Sequence, residues 1–199
     1  MPRLNREYKK GKPHRDSRLF VIVAEGERED KYFAHFNLSN SRIRVLMIQR
    51  GQNASAPKHF AGRLKKAEET GEYAPEATDE IWFVCDTDRW GSQLNELKTD
   101  CDQHTNWNLA ISNPCFEVWL HFHSGPISTD KWGCGELKNQ LPQTMLGGFD
   151  AKTYCRHIER AIDHAAQADT QPDSDFPEPM QTNVYRLGRK MFQVLGKNW

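Results

Sequence analysis

Two uninterrupted apolar runs, Leu19-Phe-Val-Ile-Val-Ala24 and Ile81-Trp-Phe-Val-Cys85, constrain the fold of this chain more than any other feature. Short runs of β-branched and aromatic residues with no alternating polar positions suit strands covered on both faces. Such strands belong to parallel sheets with helices on either side. Each run closes at a carboxylate: Glu25 follows the first, and Asp86 and Asp88 follow the second. Side chains two positions apart in an extended segment point the same way, so Asp86 and Asp88 are set to face one crevice from a rigid support. Hard oxygen donors of this kind suit Mg²⁺ or Mn²⁺ better than zinc.

The rest of the chain extends the alternation. The patterning predicts a helix from about Arg28 to Phe36, a strand over Ile43–Ile48, and a helix with His59, Phe60, Leu64 and Ala67 on its inner side. That helix should end at Glu68-Glu-Thr-Gly71, and Leu109–Ser112 should form a further short strand. Asn113 and Pro114 then read as the cap and first turn of an apolar helix. On it Phe116, Leu120 and His123 share one face, while Glu117 and His121, four residues apart, form a polar pair. Helices are also expected around residues 136–141, over 151–168 and over 182–195, with a loop at 169–179. Asn53 and Ser55 read either as phosphate contacts or as caps of the helix that follows them. The expected fold is α/β, with a central, mostly parallel sheet flanked by helices and a helical C-terminal extension. Its expected organisation is a basic flexible segment over 1–16, a core over 17–125, and an extension over 126–199 packed against the core or completing it.

Composition narrows the class. Hydrophobic residues make up 37% of the 199-residue chain and charged residues 27%, which supports a packed core and argues against global disorder. No apolar stretch approaches bilayer length and no charged leader precedes a hydrophobic segment, so a cytoplasmic protein without membrane contact is expected. The five cysteines, Cys85, Cys101, Cys115, Cys134 and Cys155, are too dispersed for a zinc knuckle or redox dithiol. Gly26 alone cannot replace a glycine-rich phosphate loop and its lysine. The formal net charge is +0, yet the opening segment is locally basic. Lys9, Lys10, Lys12 and Arg15 are therefore candidate contacts to a nucleic-acid backbone, the alternative being a solvated terminus.

Four blocks in order, Val23-Ala-Glu25-Gly-Glu-Arg-Glu29, Cys85-Asp86-Thr-Asp88, Ser112-Asn-Pro-Cys-Phe-Glu117-Val-Trp-Leu-His-Phe122 and Thr182-Asn-Val-Tyr-Arg-Leu187, resemble the RloB-like family, whose core is similar to the Toprim fold. The resemblance covers roughly residues 17 to 195. It implies that Glu25 is the acid of the first strand, that Asp86 and Asp88 are the paired acids after a later one, and that the three coordinate a divalent metal. It also draws attention to Glu29 as a further metal ligand, to Glu117 as a catalytic acid, and to Lys152 as a basic partner. The resemblance places the chain among proteins encoded beside restriction and other phage-defence systems. The resemblance thus implies a cytoplasmic role in prokaryotic defence of the abortive-infection type, with a separately encoded ATPase as partner. It favours DNA over RNA as the nucleic acid acted on. A homodimer that brings two acidic clefts together is a further expectation.

Arg89 and Trp90 occupy a loop that could have supplied further acids, which leaves one-metal and two-metal chemistry both open. Arg89 instead suits neutralising the loop or clamping a phosphate, and Trp90 suits either stacking on a base or packing beneath the loop. The expected activity is metal-dependent phosphodiester cleavage, with Glu25 completing the metal shell or assisting proton transfer from water. The competing class is a noncatalytic nucleic-acid-binding or scaffold subunit.

Overall fold

A computed structural model of the protein describes residues 18–38, 42–49, 55–87, 90–127, 131–145 and 147–196. The expected basic contacts Lys9, Lys10, Lys12 and Arg15, together with Asn53, Asp88 and Arg89, lie outside the described residues.

Five strands, β1 (Arg18–Ala24), β2 (Ile43–Met47), β3 (Glu80–Asp86), β4 (Trp107–Asn113) and β5 (Gln181–Thr182), form one sheet in the order β2-β1-β3-β4-β5. The first three neighbouring pairs are parallel, and β5 is antiparallel to β4. The two apolar runs are therefore adjacent inner strands, paired from Phe20 and Glu80 to Ala24 and Val84. Successive strand side chains alternate between faces. Phe20, Ile22 and Ala24 accordingly join Trp82, Val84 and Ala110 in one apolar layer, while Val21, Val23, Phe83, Cys85 and Ile111 join the other.

The first layer is covered by α1 (Glu27–Ala34) and by α4 (Glu117–Phe122), α5 (Cys134–Thr144), α6 (Ala151–Cys155), α7 (Ile158–Ala168) and α8 (Val184–Leu195). The second is covered by α2 (Phe60–Glu69) and α3 (Gly91–Cys101). The mostly parallel α/β sheet is thus the one the sequence predicts. No helix among the described residues is long and apolar enough to cross a membrane.

Three local expectations are corrected. Asn113 ends β4 instead of capping a helix: its Oδ1 accepts from the Thr87 hydroxyl at 2.9 Å, its Nδ2 donates to the Pro177 carbonyl at 2.9 Å, and α4 starts only at Glu117. The long helix expected over 151–168 is two, α6 and α7, separated at Arg156 and His157. The C-terminal extension is not wholly helical, because Gln181 and Thr182 pair with Asn113 and Ser112 as β5.

The outer strand β2 is protected by a side chain. Asn37 donates from Nδ2 to the Val45 carbonyl and accepts the Val45 N–H at Oδ1, both at 2.7 Å. Its carboxamide takes the place of one residue of a further strand, satisfying an edge that would otherwise invite pairing.

Candidate active site

The strand order reverses direction beside β1: the chain passes from β1 to β2 on one side, then crosses to β3 on the other. Ligand sites of open α/β sheets form at such reversals, outside the carboxyl ends of the strands. Glu25 and Asp86 occupy those ends. The Glu25 backbone N–H donates to the Val84 carbonyl at 3.1 Å, prolonging the ladder, and the Asp86 N–H donates to the Glu25 carboxylate at 3.3 Å. From the second face, the buried Arg63 of α2 donates to the carbonyls of Ala24 at 2.8 Å and Ile48 at 2.6 Å. This tie fixes the strand ends from which the acidic loop departs.

A cleft of about 710 Å³ opens here, and its walls include Glu25, Glu29, Asp86 and Glu117. Four of the carboxylates expected from the sequence are therefore brought to one place. Ser55, Arg28, Lys31, Lys138 and Phe149 also line it. Ser55 caps nothing, because Ala56 holds the N-cap position of the short turn that leads into α2.

Glu29 is buried in the wall of this cleft. Gly26 precedes α1, and a Cβ at Gly26 would stand 2.4 Å from Glu29 Oε2. The missing side chain is thus the space the carboxylate fills. The group is 5% exposed, and its pKa rises from 4.5 to about 7. Burial is the main cause. The charges of Glu117, Glu25 and Asp30 add to it, against a hydrogen bond from its own backbone N–H.

Glu117 faces the same cleft from the first turn of α4. The expected pair with His121 does not form, because each group has a long-range partner. Glu117 accepts from the guanidinium of Arg28, which also lies 5.7 Å over the Phe149 ring. His121 donates from Nε2 to the Leu137 carbonyl at 2.9 Å, and burial lowers its pKa. Helical spacing made the two adjacent, but tertiary contacts decided their partners.

Lys152 is exposed on α6 and does not line the cleft; among the described residues the lysine of the extension that does is Lys138 on α5. Trp90 stands at the start of α3, half-buried against the second apolar layer, and it too is outside the cleft lining. Sequence reasoning missed Arg28, Lys31, Lys138 and Phe149. Only Arg28 carried a signal, as a member of the Glu25–Glu29 block.

The donor chemistry fits a divalent cation in kind. Glu25 and Asp86 present hard oxygens, and beyond the larger effect of burial the charges of Glu117, Glu25 and Asp30 contribute a repulsion at Glu29 that a cation would relieve. Among the described residues no three His, Cys, Asp or Glu side chains form a group that could hold a metal ion, and Asp88 is outside that set.

A sheet covered on both faces, with an acidic cleft where its strand order reverses, defines an α/β protein of the class that binds ligands at the carboxyl ends of parallel strands. The RloB-like protein family matches residues 20–191, and the chain belongs to that family. The match runs from β1 into α8 and includes every carboxylate of the cleft. No curated protein and no solved structure matches the chain.

Proposed function

We propose that the protein is a metal-dependent phosphodiester-cleaving enzyme acting on nucleic acid, with DNA as the first substrate to test, in prokaryotic phage defence. The observation that carries this reading is the meeting of Glu25 and Asp86 at adjacent strand ends, with Glu29 and Glu117 on the walls of the same cleft. Glu25, Asp86 and Asp88 would hold Mg²⁺ or Mn²⁺, with Glu29 as a further donor. The ion would polarise a phosphoryl oxygen, lower the pKa of the attacking water and stabilise charge on the leaving oxygen. Glu25 receives the Asp86 N–H, which orients its carboxylate at the strand ends where it would complete the metal shell or assist proton transfer from water. Arg28 keeps Glu117 in the cleft wall and counters part of its charge.

That same ion pair favours a second reading. Arg28 counters part of the Glu117 charge, which leaves less of it for a second ion and suits a noncatalytic nucleic-acid-binding or scaffold subunit.

The test is cleavage of labelled single-stranded DNA, double-stranded DNA and RNA by the wild type and Asp86→Asn, with Mg²⁺, Mn²⁺ and chelator arms. Wild-type cleavage that requires metal should fall at least about 100-fold in Asp86→Asn, whose circular dichroism should be unchanged. Equal cleavage by the two proteins would overturn the assignment. Salt-sensitive binding without turnover would establish the second reading.

A further inference from the structure

A cleft walled by Glu25, Glu27, Glu29, Asp86 and Glu117 repels a phosphodiester, so a nucleic-acid substrate needs a cation there that no protein carboxylate already holds. Among the described residues three cationic side chains reach this cleft: Arg28, Lys31 and Lys138. Arg28 is bound to Glu117 and covered on one side by Phe149. Lys31 lies 3.7 Å from Glu27 on the same helix. Lys138 has no ion-pair partner among the described residues.

Its backbone is nevertheless firmly placed. Leu137, the preceding residue, is 0% exposed, and its carbonyl accepts the His121 Nε2–H at 2.9 Å. The start of α5 is closed by the Gly133 N–H donating to Glu136 Oε2 at 3.0 Å. The four-carbon stem of Lys138 therefore moves on a fixed base, with a compact charge at its end that suits a single phosphate oxygen.

We propose that Lys138 binds a backbone phosphate of the substrate, so that the C-terminal extension supplies the cation for a cleft whose principal acids come from the sheet. This rests on the reading of the cleft as a nucleic-acid site. It separates Lys138 from Lys152, which projects from α6 outside the cleft. Lys138 is a binding residue in this proposal and takes no proton in the reaction.

The experiment measures binding of labelled single- and double-stranded oligonucleotides by fluorescence anisotropy across a NaCl series. Asp86→Asn is the common background, so the probe stays intact, and it is combined with Lys138→Ala, Lys138→Arg or Lys65→Ala. Lys65, on α2 and paired with Glu69, is the control for loss of one surface charge. Lys138→Ala should weaken binding about tenfold at low salt. It should also lower the slope of log K against log salt by about 0.9 on duplex or about 0.7 on single strands. Lys138→Arg should restore most of the slope, and Lys65→Ala should match the parent. In the otherwise wild-type enzyme, Lys138→Ala should raise KM more than it lowers kcat.

An unchanged slope and affinity in Lys138→Ala, alongside metal-dependent cleavage by the wild type, would overturn the role of Lys138 and leave the nuclease reading standing. A slope that depends on Lys138, in a protein that never cleaves, would support Lys138 while removing the nuclease reading. Failure of the parent to bind any of the probes, together with no cleavage by the wild type, would overturn both.

Discussion

Replacing Glu29 with glutamine should stabilise the protein at alkaline pH. In the folded state the carboxyl is 5% exposed and titrates near 7; its ordinary value is 4.5. Between those two values the folded chain holds a proton that the unfolded chain has released. Stability therefore falls as pH rises through this window: the penalty is absent below about 4.5 and complete above about 7. At about 1.4 kcal/mol per pH unit, the gap amounts to roughly 3 kcal/mol. Glutamine keeps the shape of the protonated acid, and its amide can donate to the neighbouring carboxylates. Urea unfolding of the wild type and Glu29→Gln from pH 4 to 8.5 should give curves that coincide at the acid end. They should separate to roughly 3 kcal/mol in favour of the variant at pH 8. Saturating Mg²⁺ should shrink the separation, because a cation in the cleft favours the ionised wild-type group. A difference that stays flat from pH 4.5 to 7, or a variant less stable than the wild type at pH 8, would refute the argument.

His123 should impose the opposite slope. It is fully buried, its Nδ1–H donates to the Trp119 carbonyl at 3.0 Å, and its Nε2 accepts from the Tyr32 hydroxyl at 3.0 Å; burial pushes its pKa from 6.5 to about 3. The unfolded chain binds the proton first, so the stability His123 lends is present above about 6.5 and drains as pH falls towards 3. His123→Gln should flatten the difference curve below pH 6.5 and cost about 1–3 kcal/mol near pH 7.5; a wild-type-like acid slope would contradict this. At Gly188 a methyl group would meet Trp119 Cη2 at 3.2 Å and Ile162 Cγ1 at 3.3 Å. Because Trp119 and Ile162 are both buried, Gly188→Ala should cost about 1–2 kcal/mol after its gain in helix propensity, lowering Tm by about 2–8 °C; an unchanged Tm would refute the tight α8 contact.

The strands most legible in the sequence are those with both faces buried. Burial from two sides leaves no polar positions between Leu19 and Ala24 in β1 or between Ile81 and Cys85 in β3, and their ends at Glu25 and Asp86 can be read directly. β4 extends beyond its predicted span because Trp107 and Asn108, both half-exposed, interrupt the apolar pattern. β5 has two residues and no periodicity to detect. The break between α6 and α7 is hidden because Tyr154, Ile158, Ala161, Ile162 and Ala165 are all buried and their apolar spacing continues through it. At Asn113 local capping chemistry was outweighed by Thr87 and Pro177, distant partners that only the fold supplies. The site divides along the same line. Strand ends revealed the acids, whereas Lys138 and Lys152 are both lysines on polar helix surfaces, and only the docking of α5 against α4 distinguishes them.

The family-like blocks contain two kinds of residue. Glu25, Glu29, Asp86 and Glu117 face the cleft, whereas Ser112, Asn113, Thr182 and Asn183 hold the backbone that presents them. The Thr182 hydroxyl donates to the Ile111 carbonyl at 3.1 Å and accepts from the Ser112 hydroxyl at 2.8 Å. The Asn183 N–H donates to the same carbonyl at 2.9 Å, while its side chain accepts the Ile111 N–H. β4 is thereby fixed up to Asn113, which receives the Thr87 hydroxyl directly after Asp86. A chain of short polar contacts thus leads from the C-terminal segment to the acidic loop without passing through the cleft. The tail block can constrain the chemistry while contributing no atom to it, and loss of the Thr182 and Asn183 contacts would be felt first in the placement of Asp86.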